Sequence, residues 1–195
     1  MEIFPISLKL QKQRCLIVGG GHIAYRKANL LVKAGAIVDV IAPEIEPELR
    51  QLVEQSTGQY IQAPFSDSIL ATPYRLVIAA TDQPDVNKAV FEQCEARNLL
   101  VNSVDDIPHC RFMVPAIIDR SPLVVSVASN GASPVLSRQL RTQIETIVPH
   151  GMGKLAEFSG QWRKQVKEKI ANPDERRIFW ENLYASPLKE QVFND

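Results

Sequence analysis

Arg14-Cys-Leu-Ile-Val-Gly-Gly-Gly-His-Ile-Ala24 is the stretch on which the fold turns. Arg14 to Val18 is a continuous apolar run that reads as a strand. Gly19-Gly-Gly-His-Ile-Ala24 fits G-x-G-x-x-A. From Ile23 to Ala34 apolar residues recur at helical spacing (Ile23, Leu30, Leu31, Ala34), small Ala24 and Ala28 allow close packing, and Gly35 is placed for a C-terminal cap. Strand, glycine loop and helix in that order form a dinucleotide-binding signature. Gly19 permits the tight turn, Gly21 lets the backbone approach a pyrophosphate, and Ala24 lets helix and strand pack closely. The competing reading, a glycine-rich turn and nothing more, does not account for the order.

Outward from this unit the alternation continues. Ala36 to Ile41 reads as a second strand, Glu44 to Gln55 as a helix with Pro47 in its first turn, and Tyr60 to Phe65 as a third strand. Leu76 to Ala80 is apolar on both faces, as a central parallel strand must be. Asp82 before Pro84 marks a helix start, the helix running to about Arg97, and Leu99 to Val104 is a fifth strand. Beyond Asp105 the rhythm changes. Phe112 to Ile118 and Leu123 to Ala128 flank the turn Asp119-Arg-Ser-Pro122 as a hairpin. Ser133-Pro134 then opens a helix on Val135, Leu136, Leu140, Ile144 and Ile147, ending at Pro149. Two further helical stretches follow, one on Leu155, Phe158, Trp162 and Val166, the other after Asn172-Pro173. The expected fold class is α/β: a Rossmann-type parallel-sheet domain, then a hairpin and helix segment, then a small helical domain.

The 195 residues are 45% hydrophobic and 23% charged, an ordinary globular composition, and 22 basic against 22 acidic residues leave formal net charge +0. No global field draws such a chain to nucleic acid or an anionic membrane, so an anionic partner must meet a local patch. Cys15, Cys94 and Cys110 form no CxxC pair and are odd in number, which suits a reducing cytoplasm. No apolar stretch approaches the ~18 residues of a membrane span, and the N-terminus does not read as a leader.

In an open α/β sheet, ligands lie beyond the carboxyl ends of the strands, and those ends carry Gly19 to His22, Pro43-Glu44, Thr81-Asp82 and Asp105-Asp106. Two residues compete to bind the nucleotide ribose. Asp39 has the expected spacing but lies inside a strand, and Glu44 lies just past its end and is preferred. No Arg or Lys occurs between Lys33 and Arg50, favouring NAD over NADP. Asp105 is placed for catalysis by topology, with the capping of a turn before Ile107-Pro108 as the equal alternative. His22 reads as a pocket residue placed by its backbone. His109 beside Cys110 makes a weak metal site, so no metal ligands are assigned. Ser129-Asn-Gly-Ala-Ser-Pro134 is a polar turn feeding a helix N-terminus and could bind a carboxylate or simply cap the helix. Arg111, Arg120, Arg138 and Arg141 near it supply a cationic rim or are scattered surface residues. There is no P-loop lysine signature and no Y-x-x-x-K pair.

Taken together, several stretches resemble the precorrin-2 dehydrogenase family of siroheme biosynthesis, including the N-terminal part of siroheme synthases, nearly from end to end. They are Phe4-Pro-Ile6, Cys15 to Gly21 with Ala24 and Arg26-Lys-Ala28, Ala79-Ala-Thr-Asp82, Val101-Asn-Ser-Val-Asp105, Pro115 to Pro122 and Gly131-Ala-Ser-Pro134. The resemblance implies oxidation of precorrin-2 to sirohydrochlorin with NAD⁺ as hydride acceptor, and in some members Fe²⁺ insertion to give siroheme. It implies Asp105 as the essential aspartate, and nucleotide contacts around Gly21 to Ile23 and at Pro43-Glu44. It also implies a homodimer, with an NAD-binding domain over 1–113, a dimerisation segment over 114–149 and a helical domain over 150–195. Asn130 stands where relatives often have glycine. Because precorrin-2 carries eight carboxylates, Ser129, Asn130, Gly131, Ser133 and Arg138 become candidates for holding it. Only about forty residues follow Met152, which on this reading leaves methylation of the precursor to another chain. The alternative of a different class is a non-catalytic NAD-sensing module.

Overall fold

The computed structural model describes residues 1–186 and divides into two compact units, Met1–Met113 and Val114 onward. In the first unit, β1 (Arg14–Val18), β2 (Ile37–Ile41), β3 (Tyr60–Ile61), β4 (Leu76–Ala79) and β5 (Leu100–Ser103) form one sheet. Its order is β3-β2-β1-β4-β5, and every pairing is parallel. The order reverses between β1 and β4, which creates the crevice where doubly wound sheets take their ligands. Helices α1 (His22–Lys33), α2 (Pro47–Gln55) and α3 (Pro84–Glu95) cover the two faces.

Strand parity decides which helix each residue meets. Cys15, Ile17, Val38, Val40, Leu76 and Ile78 pack against Ala24, Ala28 and Leu31 of α1 and Leu49 and Val53 of α2. Leu16, Val18, Val77, Ala79 and Val101 pack with Val90 and Cys94 of α3 and with Leu70 and Tyr74 from the segment before β4. A fully buried aliphatic side chain contributes roughly 1.5–3 kcal/mol, so these two layers hold the unit together. The buried face of α1 is Ala24, Ala28 and Leu31, whereas Ile23 and Leu30 are exposed. Two small residues, Ala24 and Ala28, and Leu31 make the contact with the sheet.

Other elements differ from the sequence reading in their limits. The second helix starts at Pro47, not Glu44. The amide of Glu46 donates to the carbonyl of Gly20 at 2.8 Å, and a residue before proline is held extended, so the chain cannot coil earlier. The third strand stops at Ile61 rather than Phe65. It lies at the sheet edge, and Pro64 has no amide to continue a ladder. The third helix is capped at Gln83, not Asp82, and ends at Glu95.

The second unit begins with an antiparallel hairpin, β6 (Ala116–Arg120) and β7 (Leu123–Val127), paired Ala116 to Val127 through Arg120 to Leu123. Helices α4 (Pro134–Ile147), α5 (Gly151–Lys169) and α6 (Pro173–Ala185) follow. Ser133 Oγ accepts from the Leu136 amide at 3.3 Å with Pro134 at the first helical position, the cap foreseen from the sequence. Gly153 lies against Arg120 and Ser121, where an added Cβ would stand 2.5 Å from the Arg120 carbonyl oxygen, so α5 reaches the hairpin by backbone contact. The apolar stripe of α4 does not reach a core: Val135, Leu136, Leu140 and Ile147 are all exposed, as is Val124 of the hairpin. Among the described residues no helix is long and apolar enough to cross a membrane.

Candidate functional site

The three loop glycines have three different surroundings. Gly19 has φ +120°, and a Cβ there would lie 2.4 Å from the Ala80 carbonyl oxygen at the end of β4. Gly20 would place a Cβ 1.8 Å from the carbonyl oxygen of Glu44 beyond β2. Gly21 faces nothing within 4 Å and is the N-cap of α1 with no side-chain cap. The first two glycines therefore fit the loop between neighbouring strand ends, and the third leaves an open approach to uncapped first-turn amides. That is the chemistry a pyrophosphate needs, so the residues present fit a dinucleotide. His22 and Ile23 are exposed in this first turn, with His22 stacked 6.1 Å from Tyr25.

The two ribose candidates separate. Asp39 is buried at 2%; its carboxylate takes the Arg14 guanidinium at 2.6 and 2.9 Å, the Gln59 amide at 2.9 Å and the Tyr74 hydroxyl at 3.2 Å. Its acceptors are committed to the sheet interior. Burial, then the Asp39 carboxylate, pushes the Tyr74 phenol up to about 12. Pro43 and Glu44 are exposed beyond β2, and Gly20 abuts Glu44. Beyond β4, Thr81 is fastened rather than free: its hydroxyl donates to Asn87 Oδ1 at 2.7 Å, while Asn87 Nδ2 donates to the Thr81 carbonyl at 3.0 Å. The Thr81 hydroxyl also accepts from the Gln83 amide at 3.2 Å. The N-cap position expected of Asp82 falls to Gln83, with no side-chain cap, and Asp82 is exposed. Asn87 escaped the sequence reading because a polar residue in a helical stretch carries no signal until its burial is seen.

Asp105 follows β5 by two residues, exposed, in a left-handed conformation with φ 59°. Few non-glycine residues adopt this conformation. Lys27 of α1 is half-buried; burial lowers its ammonium from the ordinary value, the Asp105 carboxylate opposes that, and Arg26 and the Cys110 thiol act more weakly. A cation within electrostatic reach of Asp105 was not foreseen. His109 Nδ1 lies 2.6 Å from Asp106 Oδ2 with its ring edge-on to Phe91. The Cys110 thiol is engaged with backbone carbonyls, so neither residue stands ready as a metal ligand.

In the second unit, Ser129 Oγ accepts from the Ser133 amide at 3.2 Å and from the Ser137 hydroxyl at 2.9 Å, while Asn130 (φ 52°) and Gly131 (φ 76°) make the left-handed bend. Asn130 therefore serves in a conformation that glycine adopts more easily. The hydroxyls of this turn are spent largely on capping α4. Arg120 binds Glu145 at 3.1 Å and the Val148 carbonyl at 3.1 Å; Arg141 binds Glu145 at 2.9 Å and the Ile117 carbonyl at 3.1 Å. In the first unit Arg111 pairs with Glu95 and lies over Phe91. Of the four rim arginines, Arg138 alone is exposed with no carboxylate paired to it among the described residues.

Comparison with known proteins agrees with this architecture. Residues 6–116 match a family model described as NAD(P)-binding, and residues 151–195 match the sirohaem synthase dimerisation region. The second match falls on the stretch read above as the helical domain, not on 114–149. Siroheme synthase of Acinetobacter baylyi is 80% identical over 195 residues, covering 100% of this chain and 43% of that protein. Siroheme synthase of Chromobacterium violaceum is 48% identical over 194 residues, covering 100% of this chain and 41% of that protein. The chain thus spans well under half the length of these curated relatives. A solved structure of SirC, precorrin-2 dehydrogenase, superposes with TM-score 0.78 at 20% identity over 98% of this chain and 96% of that one, a likeness of fold.

Proposed function

The chain belongs to the NAD(P)-binding family in the form that siroheme synthases carry, and from that membership we propose that it oxidises precorrin-2 to sirohydrochlorin with NAD⁺. The observation that carries the proposal is Asp105, presented on a left-handed turn at the C-terminal end of β5, in the unit whose glycine loop leaves Gly21 and the first turn of α1 open. NAD⁺, when bound, supplies the hydride acceptor. Oxidation of the macrocycle removes one hydride and one proton, giving sirohydrochlorin, NADH and H⁺. The protein must therefore hold a base beside the reacting carbon, and Asp105 is that base.

Gly19, Gly21, His22 and Ile23 hold the pyrophosphate through backbone, Glu44 with Pro43 takes the ribose, and Thr81 and Asp82 line the β4 end. NAD rather than NADP is supported by the stretch from Ala34 to Leu49, which has no Arg or Lys. On the second unit, Ser129, Asn130, Gly131, Ser133 and Arg138 receive substrate carboxylates, with Arg138 the principal cation. The exposed stripe of α4 and Val124 supports pairing with a second copy through the hairpin and α4, over 114–149, with the helical domain over 150–195. A homodimer would bury that surface. Three free thiols, with burial raising Cys15 and Cys94 to about 11, support a cytoplasmic setting.

The test is NADH formation on mixing the protein, NAD⁺ and precorrin-2, followed by Fe²⁺ in the same cuvette to test insertion into sirohydrochlorin. Asp105→Asn is expected to lower turnover by about 10²-fold or more while NAD⁺ binding stays within about twofold. Full turnover in that variant would remove Asp105 from the reaction. NAD⁺ binding without turnover would favour the sensing module.

A further inference from the structure

The loop that carries Asp105 is fastened by two side chains to which the proposed reaction assigns no part. After β5 the chain turns back, so that Cys110 bridges to Asn102 and the Arg111 amide donates to the Val101 carbonyl at 2.7 Å. This return holds Asp105 at φ 59°, a conformation that persists in a non-glycine residue only where its surroundings over-determine it. The surroundings here are explicit. Asn102, buried at 6%, donates from Nδ2 to the Phe112 carbonyl at 3.0 Å and to Cys110 Sγ at 3.3 Å. The Cys110 thiol lies 3.1 Å from the Ser103 carbonyl and 3.2 Å from the Asp106 carbonyl, so its one proton is offered to acceptors on both sides of Asp105.

Among the described residues, Asn102 Oδ1 is buried without a hydrogen-bond partner. An unsatisfied buried acceptor is unfavourable, so an amide used only to fill space would lose to an apolar residue of similar size. Its two donor contacts, both to the returning segment, account for its presence there. Parity agrees: Leu100 and Val104, two residues either side of Asn102, pack on the face covered by α1, the helix whose Lys27 lies in electrostatic reach of Asp105 and Cys110.

We propose that Asn102 and Cys110 are positioning residues for Asp105, a clasp that fixes the carboxylate at the end of β5 and thereby sets the rate of proton removal without touching substrate or cofactor. This rests on the reading of Asp105 as the base. A misplacement of about 1 Å in a reacting group can cost on the order of 10²-fold in rate, so loosening the clasp should appear in kcat before it appears in binding.

The experiment uses the full chain with Cys110→Ala, Cys110→Ser and Asn102→Ala. Steady-state kinetics with NAD⁺ and precorrin-2 are paired with amide hydrogen exchange over residues 104–110. The expected result for Cys110→Ala is a kcat loss of about tenfold or more, KM for NAD⁺ within about twofold, and faster exchange in the loop. Cys110→Ser keeps a donor in place and should recover most of the rate. A wild-type kcat in Cys110→Ala overturns the clasp and leaves the dehydrogenase reading standing. So does a Cys110→Ser variant as slow as Cys110→Ala with weakened NAD⁺ binding, which marks a purely structural role. No turnover by the wild-type protein overturns the reading of Asp105 and the clasp together. The Cys110 pair decides the matter even if Asn102→Ala does not fold.

Discussion

Asp39→Ala separates the two ribose candidates, because the structure assigns Asp39 to the core and the spacing rule alone would assign it to the nucleotide. The carboxylate accepts from the Arg14 guanidinium, the Gln59 amide and the Tyr74 hydroxyl, and its side chain is 3% exposed. Removing one partner of a buried ion pair costs roughly 3–5 kcal/mol. Arg14 remains 36% exposed and can recover hydration, which places the expected loss near the lower bound, about 3 kcal/mol. For a domain of this size about 1 kcal/mol corresponds to roughly 2–4 °C, so Tm should fall by about 6–12 °C. The Tyr74 phenol gives an independent signal: without the Asp39 carboxylate it should titrate below about 12, yet above its ordinary value because burial is the larger cause. Calorimetry, a phenolate absorbance titration and NAD⁺ titration below the lowered Tm constitute the assay. NAD⁺ affinity within about twofold of wild type is expected, since one lost hydrogen bond to a charged group costs about 1.5 kcal/mol or more and would exceed that limit. An unchanged Tm with NAD⁺ binding weakened about tenfold would refute the reasoning and return the ribose to Asp39.

The glycine loop predicts a contrast between adjacent positions. Gly20→Ala forces a Cβ to 1.8 Å from the Glu44 carbonyl oxygen and should lower Tm by several degrees, whereas Gly21→Ala meets nothing within 4 Å and should leave Tm nearly unchanged while weakening NAD⁺ about tenfold. Equal melting curves for the two variants would contradict the assignment of the second glycine to packing. At high pH the fold should weaken in a defined window. The folded Tyr74 phenol is raised from 10.0 to about 12, so its stabilisation is complete below pH 10 and lost as pH rises through about 12. Cys15 and Cys94, raised from 9.0 to about 11, act in the same direction from pH 9 upward. Melting measured from pH 8 to 12 should show this decline, less steeply in Tyr74→Phe than in wild type.

The central unit was legible because its signals are local. Arg14 to Ala24 states strand, turn and helix in eleven consecutive residues, and the apolar run at Leu76 to Ala80 needs only to be buried on both faces to be a strand. The limits of elements were less legible because contacts distant in sequence set them. Nothing near Glu44 announces that the Gly20 carbonyl will take the Glu46 amide and delay the helix to Pro47. The position of Asp105 just beyond β5 could be read from topology, since ligands of such sheets lie past the carboxyl ends of the strands whatever residue stands there. Its left-handed backbone, the Asn102 and Cys110 clasp and the nearby Lys27 could not, because each is a relation between side chains that only the folded chain brings together.

Charge makes the same distinction at the scale of the whole molecule. A net charge of +0 excludes long-range attraction to a polyanion, but it does not say which arginines are free. In the second unit Arg120 and Arg141 share Glu145, and in the first Arg111 holds Glu95, so three of the four arginines singled out from the sequence are paired with carboxylates. On the proposed function, a substrate with eight carboxylates is met at the Ser129 turn by Arg138 and by backbone amides, whose strength depends on placement and not on number. Recognition built this way discriminates by the spacing of carboxylates around a rigid macrocycle. A chain with an excess of lysine would bind such a substrate at many places and align it at none. Balanced charge is accordingly compatible with the proposed reaction, in which one ring carbon is presented to one aspartate.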